Sequence, residues 1–172
     1  MVIRWLLAGG TAAALALGGN WVARLLDKHE PVVQPIAFNH SVHVKGEEMG
    51  CVDCHAGDKS ARAGIADIKS CNECHKEAQG DEPNPEEEKV REYAKAKKQI
   101  PWVQVNKNAG HVYFSHRAHV TFARMKCEEC HGDVGRMELP VTEPTPELHS
   151  MSACIKCHEA RGATLDCLAC HD

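Results

Sequence analysis

All ten cysteines of this chain fall into five Cys-x-x-Cys-His units, with none left over. The units are Cys51/Cys54/His55, Cys71/Cys74/His75, Cys127/Cys130/His131, Cys154/Cys157/His158 and Cys167/Cys170/His171. Zinc ribbons also use Cys-x-x-Cys, but they need their knuckles in pairs, and an odd number with a histidine directly after each fits poorly. A thioredoxin-like dithiol occurs once, beside a βαβ pattern that is absent here, and disulfides between such close cysteines are unusual as scaffolding. The chemistry that remains is covalent attachment of c-type haem. Two thiolates add to the vinyl groups, and the adjacent histidine takes one axial position of the iron. Five covalently bound haems c are therefore expected, with His55, His75, His131, His158 and His171 as their proximal ligands.

This constraint accounts for a composition that would otherwise predict a weak fold. The 172 residues are 43% hydrophobic but only 5% aromatic, and part of that apolar content lies in the N-terminal segment. From Pro31 onward the sequence is polar and broken by Gly and Pro, too poor in apolar side chains for a self-sufficient interior. The haems are expected to form the core of a mainly α structure with much irregular chain. Short helices would carry the Cys-x-x-Cys-His units, with a short strand leading into each Phe-x-His motif at Val32 to Phe38 and Val103 to Phe114. The formal net charge of -4 becomes more negative with the haem propionates, which argues against a nucleic-acid partner.

An internal duplication adds the second constraint. The stretch F-N-H-S-V-H-V-K-G-E-E-M-G-C-V-D-C-H, from Phe38 to His55, recurs as F-S-H-R-A-H-V-T-F-A-R-M-K-C-E-E-C-H, from Phe114 to His131. Phe38/Phe114, His40/His116, His43/His119 and Met49/Met125 are in register. The upstream histidines His40, His43, His116 and His119 are candidates for the remaining axial positions, with His29, His111 and His149 beyond them. The repeated methionines have two readings, apolar contacts on a porphyrin face or a His/Met iron of higher potential.

At the N-terminus, the uncharged run from Trp5 to Ala23 would span roughly 28 Å as a helix, about one hydrocarbon core. Trp5, Trp21, Arg24 and Lys28 suit its interfaces. It reads as a retained signal-anchor, the competing reading being a cleaved signal peptide with Ala14-Leu15-Ala16 as cleavage site. Gly10, Ala14 and Gly18 give a small-residue stripe suited to a second helix. Further on, Asn84 as N-cap, Pro85 in the first position, Glu86, Glu87 and Glu88 in the first turn and Lys95, Lys97 and Lys98 at the end predict a polar helix of about four turns, stopped by Pro101. Its charges read as a solvated connector. The expected organisation is a transmembrane helix at 1–28, a two-haem module at 29–80, the connector at 81–101 and a three-haem module at 102–172.

The pattern F-x-H-x-x-H followed by Cys-x-x-Cys-His resembles the class III cytochromes c, the c3 and c7 family of low-potential multihaem carriers. That resemblance implies two histidines per iron, the first of H-x-x-H serving the nearest haem and the second a different one. Carried over, His40 serves the Cys51/Cys54 haem, His43 the Cys71/Cys74 haem, His116 the Cys127/Cys130 haem and His119 the Cys154/Cys157 haem. For the Cys167/Cys170 haem the resemblance implies His149, with His111 as runner-up. Saturated irons leave no substrate site, so electron transfer without catalytic residues is the expected activity.

The single span, P-I-A-F-x-H at Pro35 to His40, I-P-W-V-Q-V, H-V-Y-F-S-H-R-A-H-V and Cys-x-x-Cys-His-Gly-Asp-Val-Gly-Arg-Met more narrowly resemble the pentahaem subunit of alternative complex III and related quinone-linked complexes. This implies integral-membrane and iron-sulfur partner subunits, quinol oxidation, and a periplasmic acceptor such as a monohaem cytochrome c or a blue-copper protein. It also implies an inner-membrane location, N-terminus inside and haem domain outside. The other readings are an autonomous anchored quinol dehydrogenase, against which Ala56 and Gly57 stand where a methionine is expected, and a reductase or sensor with one open iron.

Overall fold

The computed structural model of the protein describes residues 31–56, 62–145, 148 and 150–171. The expected span at 1–28 lies outside them, as do His29 and His149; among the described residues no helix is long and apolar enough to cross a membrane. Val32–Asp172 is set apart from Met1–Pro31 as a unit of its own.

Cysteines three positions apart face the same side when the chain turns helically between them, and the attachment units sit accordingly on short helices. These are α1 (Cys51–Cys54), α2 (Ile68–Cys74), α4 (Glu128–His131), α5 (Met151–Arg161) and a 3-10 turn, Cys167–Ala169. Segments this short do not hold as helices by themselves, and local caps start several of them. Asp67 accepts from the Lys69 amide at 2.8 Å, Ser150 from Ala153 at 3.2 Å and Asp166 from Leu168 at 3.1 Å. The two repeated units share a further device: Asp53 accepts from the Gly50 amide at 2.7 Å and Glu129 from the Lys126 amide at 2.8 Å.

The expected strands do not form. Among the described residues the only strand-like pairing is an isolated antiparallel bridge between Val112 and His171. Pro31, Pro35 and Pro101 remove donors a ladder would need. The extended segments are tied by a side chain instead. Gln34 donates to the Val103 carbonyl at 2.9 Å and the Val141 carbonyl at 3.1 Å, and accepts from the Val103 amide at 3.0 Å.

Helix α3 (Pro85–Lys95) begins as expected, with Asn84 accepting from the amides of Glu86 and Glu87 at 3.0 and 3.4 Å. It is about a turn shorter than the sequence suggests, because Lys97 leaves the helix with φ 54° before Pro101 is reached. Nor is it a solvated connector. It packs on α2 through Val90, which is buried with Ile36, Ile68 and Ile100, and Cys71, Tyr93, Ala94 and Trp102 pack around them. Burying each such branched side chain contributes about 1.5–3 kcal/mol, so this small cluster adds an apolar core to the haem-based interior expected from sequence.

The later part of the chain meets the earlier one at the segment after α4. The Ser41 amide donates to the Met137 carbonyl at 3.0 Å, and the 3-10 turn Val134–Arg136 lies against Val44. Gly135 permits that approach: a Cβ there would stand 3.0 Å from Val44 Cγ1.

Candidate haem centres

Both copies of the module build the same local object. A π-helical turn follows each phenylalanine, Val42–Gly46 in one copy and Arg117–Phe122 in the other. The Glu47 amide closes the first onto Val42 at 3.0 Å and the Ala123 amide the second onto Ala118 at 3.1 Å. Glu48 and Arg124 then take left-handed conformations, φ 55° and 54°, a strain of order 1–3 kcal/mol for residues other than glycine. The amides of Met49 and Met125 return to the carbonyls of His43 and His119, both at 3.1 Å.

The phenylalanine fixes the two imidazoles. Phe38 stacks on His43 at 4.4 Å and 26° and meets His40 edge-on at 4.8 Å and 87°. Phe114 does the same to His119 (4.6 Å, 23°) and His116 (4.9 Å, 90°). The two histidines of each copy are thereby turned to different partners. His43 faces His75 with ring centroids 6.1 Å apart, His119 faces His158 at 6.1 Å, and His116 faces His131 at 6.4 Å. His40 lies beside His55. Burial first, then the nearby His55 and His43, hold His40 below the ordinary imidazole value, in the neutral form that binds metal.

Outside the modules, His111 stacks on His171 at 5.5 Å and 26°. The Val112–His171 bridge and a 2.8 Å hydrogen bond from the Tyr113 amide to the Cys170 carbonyl carry it there. His149, the ligand the sequence favours for that unit, lies outside the described residues.

Several of these rings set Nδ1 against an oxygen, whereas His116 Nδ1 accepts from the Ala63 amide at 3.3 Å. Nδ1 faces a backbone carbonyl in His43 (Asn39, 2.8 Å), His55 (Gly64, 3.0 Å), His119 (Ser115, 2.8 Å) and His158 (Thr164, 2.7 Å). A carbonyl accepts only from a protonated Nδ1, which leaves Nε2 unprotonated for a metal. For His158 the arrangement depends on Gly162, which ends α5 in the left-handed region (φ 62°) and brings the chain back past the helix. His75 differs, because its Nδ1 faces the Glu87 carboxylate at 2.9 Å. Burial pushes the Glu87 carboxyl up, but hydrogen bonds from His75, the Gln79 amide and Arg91 outweigh it and hold it below the usual carboxylate range.

Cysteines of different attachment units lie near one another. Burial raises the Cys127 thiol, and so does Cys51, with which it shares a hydrogen bond. Burial and Cys54 raise Cys71; burial and Cys157 raise Cys130. The attachment units are therefore neighbours in the spatial order second, first, third, fourth.

Comparison with known families finds the class III cytochrome c family over residues 22–101, and cytochrome c7 and related cytochromes c over residues 112–172. The chain thus matches class III and c7-type multihaem cytochromes c, one family over each of its two parts. A similar protein is the menaquinone reductase multihaem cytochrome c subunit of Nitratidesulfovibrio vulgaris (strain Hildenborough). It is 29% identical over 94% of this chain and 87% of its own length. Cytochromes of these families carry covalently bound haem c, which supplies one-electron oxidation and reduction.

The residues of this chain fit that group. With a metal–imidazole bond of about 2 Å and a ring centre about 1 Å further on, two imidazoles on opposite sides of one ion stand about 6 Å apart. The facing pairs His43/His75, His119/His158 and His116/His131 have that spacing. Their interplanar angles range from 4° to 53°, which the geometry permits because each ring is free to turn about the metal–nitrogen axis. Between the cysteines of three units stand the exposed apolar side chains of Val52, Ile155 and Leu168, suited to a porphyrin face.

Two features escape a reading of the sequence. The phenylalanines are conspicuous as repeats, but their clamp on the imidazoles is not. Glu87 reads as a helix-dipole partner, although its spacing to Val90 and Ala94 puts a carboxylate on the buried stripe of α3, and that was the available signal.

Proposed function

We propose that this cytochrome is a five-haem electron conduit, working on the outer side of the membrane as a subunit of a quinone-linked complex. The observation that carries the reading is the set of facing histidine pairs at 6.1–6.4 Å. Two histidines close both axial positions of an iron, which leaves conduction rather than substrate turnover. In this reading His40 and His55 hold the first haem, His43 and His75 the second, His116 and His131 the third, and His119 and His158 the fourth. The ring contact with His171 favours His111 over His149 for the fifth. The closeness of cysteines from different units, Cys51 and Cys127 above all, supports a continuous path that crosses from the first family match into the second.

The partners in this reading are integral-membrane and iron-sulfur subunits, with a monohaem cytochrome c or blue-copper protein outside. Two directions of flow are open to such a conduit. The likeness to alternative complex III implies quinol oxidation, whereas the similar protein that spans 94% of this chain is named for menaquinone reduction. That broad coverage favours flow from the outer carrier to the quinone.

The test is mild solubilisation, mass spectrometry of what co-purifies, haem quantification, and rapid mixing of the assembly with menaquinol or with a reduced carrier. Co-purifying membrane and iron-sulfur subunits, five low-spin haems per chain and faster reduction by the carrier are expected. Faster reduction by menaquinol would establish the alternative complex III direction. A chain that emerges alone and oxidises quinol by itself would refute the subunit reading.

A further inference from the structure

Glu87 is the feature of this cytochrome that electron conduction by paired histidines does not require. Its side chain is 5% exposed on α3, and Oε1 accepts from His75 Nδ1 at 2.9 Å and from the Gln79 amide at 2.9 Å. Arg91 Nη1 stands 3.1 Å from the same oxygen, and Arg91 Nη2 binds Glu88 at 2.5 Å on the solvent side. Where His43, His55, His119 and His158 give Nδ1–H to neutral carbonyls, His75 gives it to a full negative charge. A charge-assisted hydrogen bond is roughly twice as strong as a neutral one. In a buried site it also raises the electron density, and hence the basicity, of the ring's other nitrogen.

We propose that Glu87 is a positioning residue which, acting through His75, sets the haem at Cys71/Cys74 to a lower potential than its counterpart at Cys154/Cys157. This rests on the reading that His75 is an axial ligand. The proton stays on Nδ1, shared towards the carboxylate, and Nε2 becomes the stronger donor to the metal. Such a ligand favours Fe(III) over Fe(II), so the one-electron reduction of that iron becomes less favourable, with no bond made or broken. Arg91 offsets part of the charge and keeps the carboxylate in place. His158, at the equivalent point of the second half, has its Nδ1 on the neutral Thr164 carbonyl, so the two halves would enclose haems of unequal potential.

The experiment is a spectroelectrochemical titration of the full chain, with dithionite as reductant and ferricyanide as oxidant, comparing wild type with Glu87→Gln and Glu86→Gln. Glu87→Gln keeps an acceptor for Nδ1 and removes the charge. It is expected to shift one haem component tenfold towards the reduced state, about 59 mV upward for a one-electron couple, and to leave the others in place. Glu86→Gln makes the same charge change on the same helix, but Glu86 touches the Ala37 amide and Lys89 rather than a histidine, and no component should move comparably. An unchanged Glu87→Gln titration, or an equal shift in Glu86→Gln, overturns the proposal.

If Glu87→Gln fails to retain its haem, NMR of the haem methyls during stepwise reduction of wild type decides. The Cys71/Cys74 haem must reduce at lower potential than the Cys154/Cys157 haem, and the reverse order overturns the proposal. Failure of the underlying axial-ligand reading looks different, since wild type itself would then show a high-spin haem before any substitution.

Discussion

The two modules of this chain match even in their backbone strain, since Glu48 and Arg124 hold the same left-handed conformation at the same register. The rings, the returning methionine amides and the carbonyls that receive His43 and His119 also correspond. What surrounds the modules does not. The first is backed by α3 and the cluster of Ile36, Ile68, Val90 and Ile100; in the second, the buried apolar residue among those described is Met125. The first ends in a carboxylate on His75 and the second in a carbonyl on His158. Ligand geometry is thus the repeated part, while stability and electrostatics are set separately in each half.

The largest test of the shared part is to remove the second histidine of each copy. His43→Ala should convert the Cys71/Cys74 haem from low-spin to high-spin, and His119→Ala the Cys154/Cys157 haem, one haem per substitution by electron paramagnetic resonance. Damage to the haem next in sequence, at Cys51/Cys54 or Cys127/Cys130, would break the correspondence between the copies. His111→Ala should act in the same way on the Cys167/Cys170 haem, and a high-spin signal from His149→Ala instead would return that iron to the ligand favoured by sequence.

The unequal surroundings predict an unequal response to a core defect. Ile68 is 6% exposed and belongs to the apolar cluster, so Ile68→Ala should cost about 2–5 kcal/mol. The loss should register at the first half, as a lowered guanidinium midpoint for the absorbance of its two haems. Equal loosening of all the haems would show that the halves unfold together and that the cluster supports the whole body.

The features legible in the sequence are those fixed by neighbouring residues. Cys-x-x-Cys-His is a local motif, the duplication can be aligned by eye, and Asn84-Pro85 announces a helix start whether or not that helix packs. Features that depend on distant chain are not legible in this way. Gln34 displaces a strand by reaching Val103 and Val141, and His111 comes to His171 through a single bridge at Val112. Glu87 is hidden for another reason. A glutamate in the first turn of a helix already satisfies the dipole, so its sequence position gives no sign that it also serves a histidine.

The smallest expected difference lies at the acidic residue just before the second cysteine of each repeated Cys-x-x-Cys. Asp53 and Glu129 both cap their own helices, but Glu129 also pairs with Arg161 of α5, tying the third attachment unit to the fourth. The Lys126 amide first, and then Arg161, hold the Glu129 carboxyl below its ordinary value. A depressed folded value means the stabilisation is present above the unfolded value and is lost as pH falls through the folded one. Arg161→Gln should therefore lower the melting temperature slightly at neutral pH, and the gap should close once Glu129 is protonated. Both members of the pair are substantially exposed, so salt at about 1 M should close the gap as well. A difference that persists in acid or in high salt would mean that Arg161 holds the two units together by packing of its stem rather than by charge.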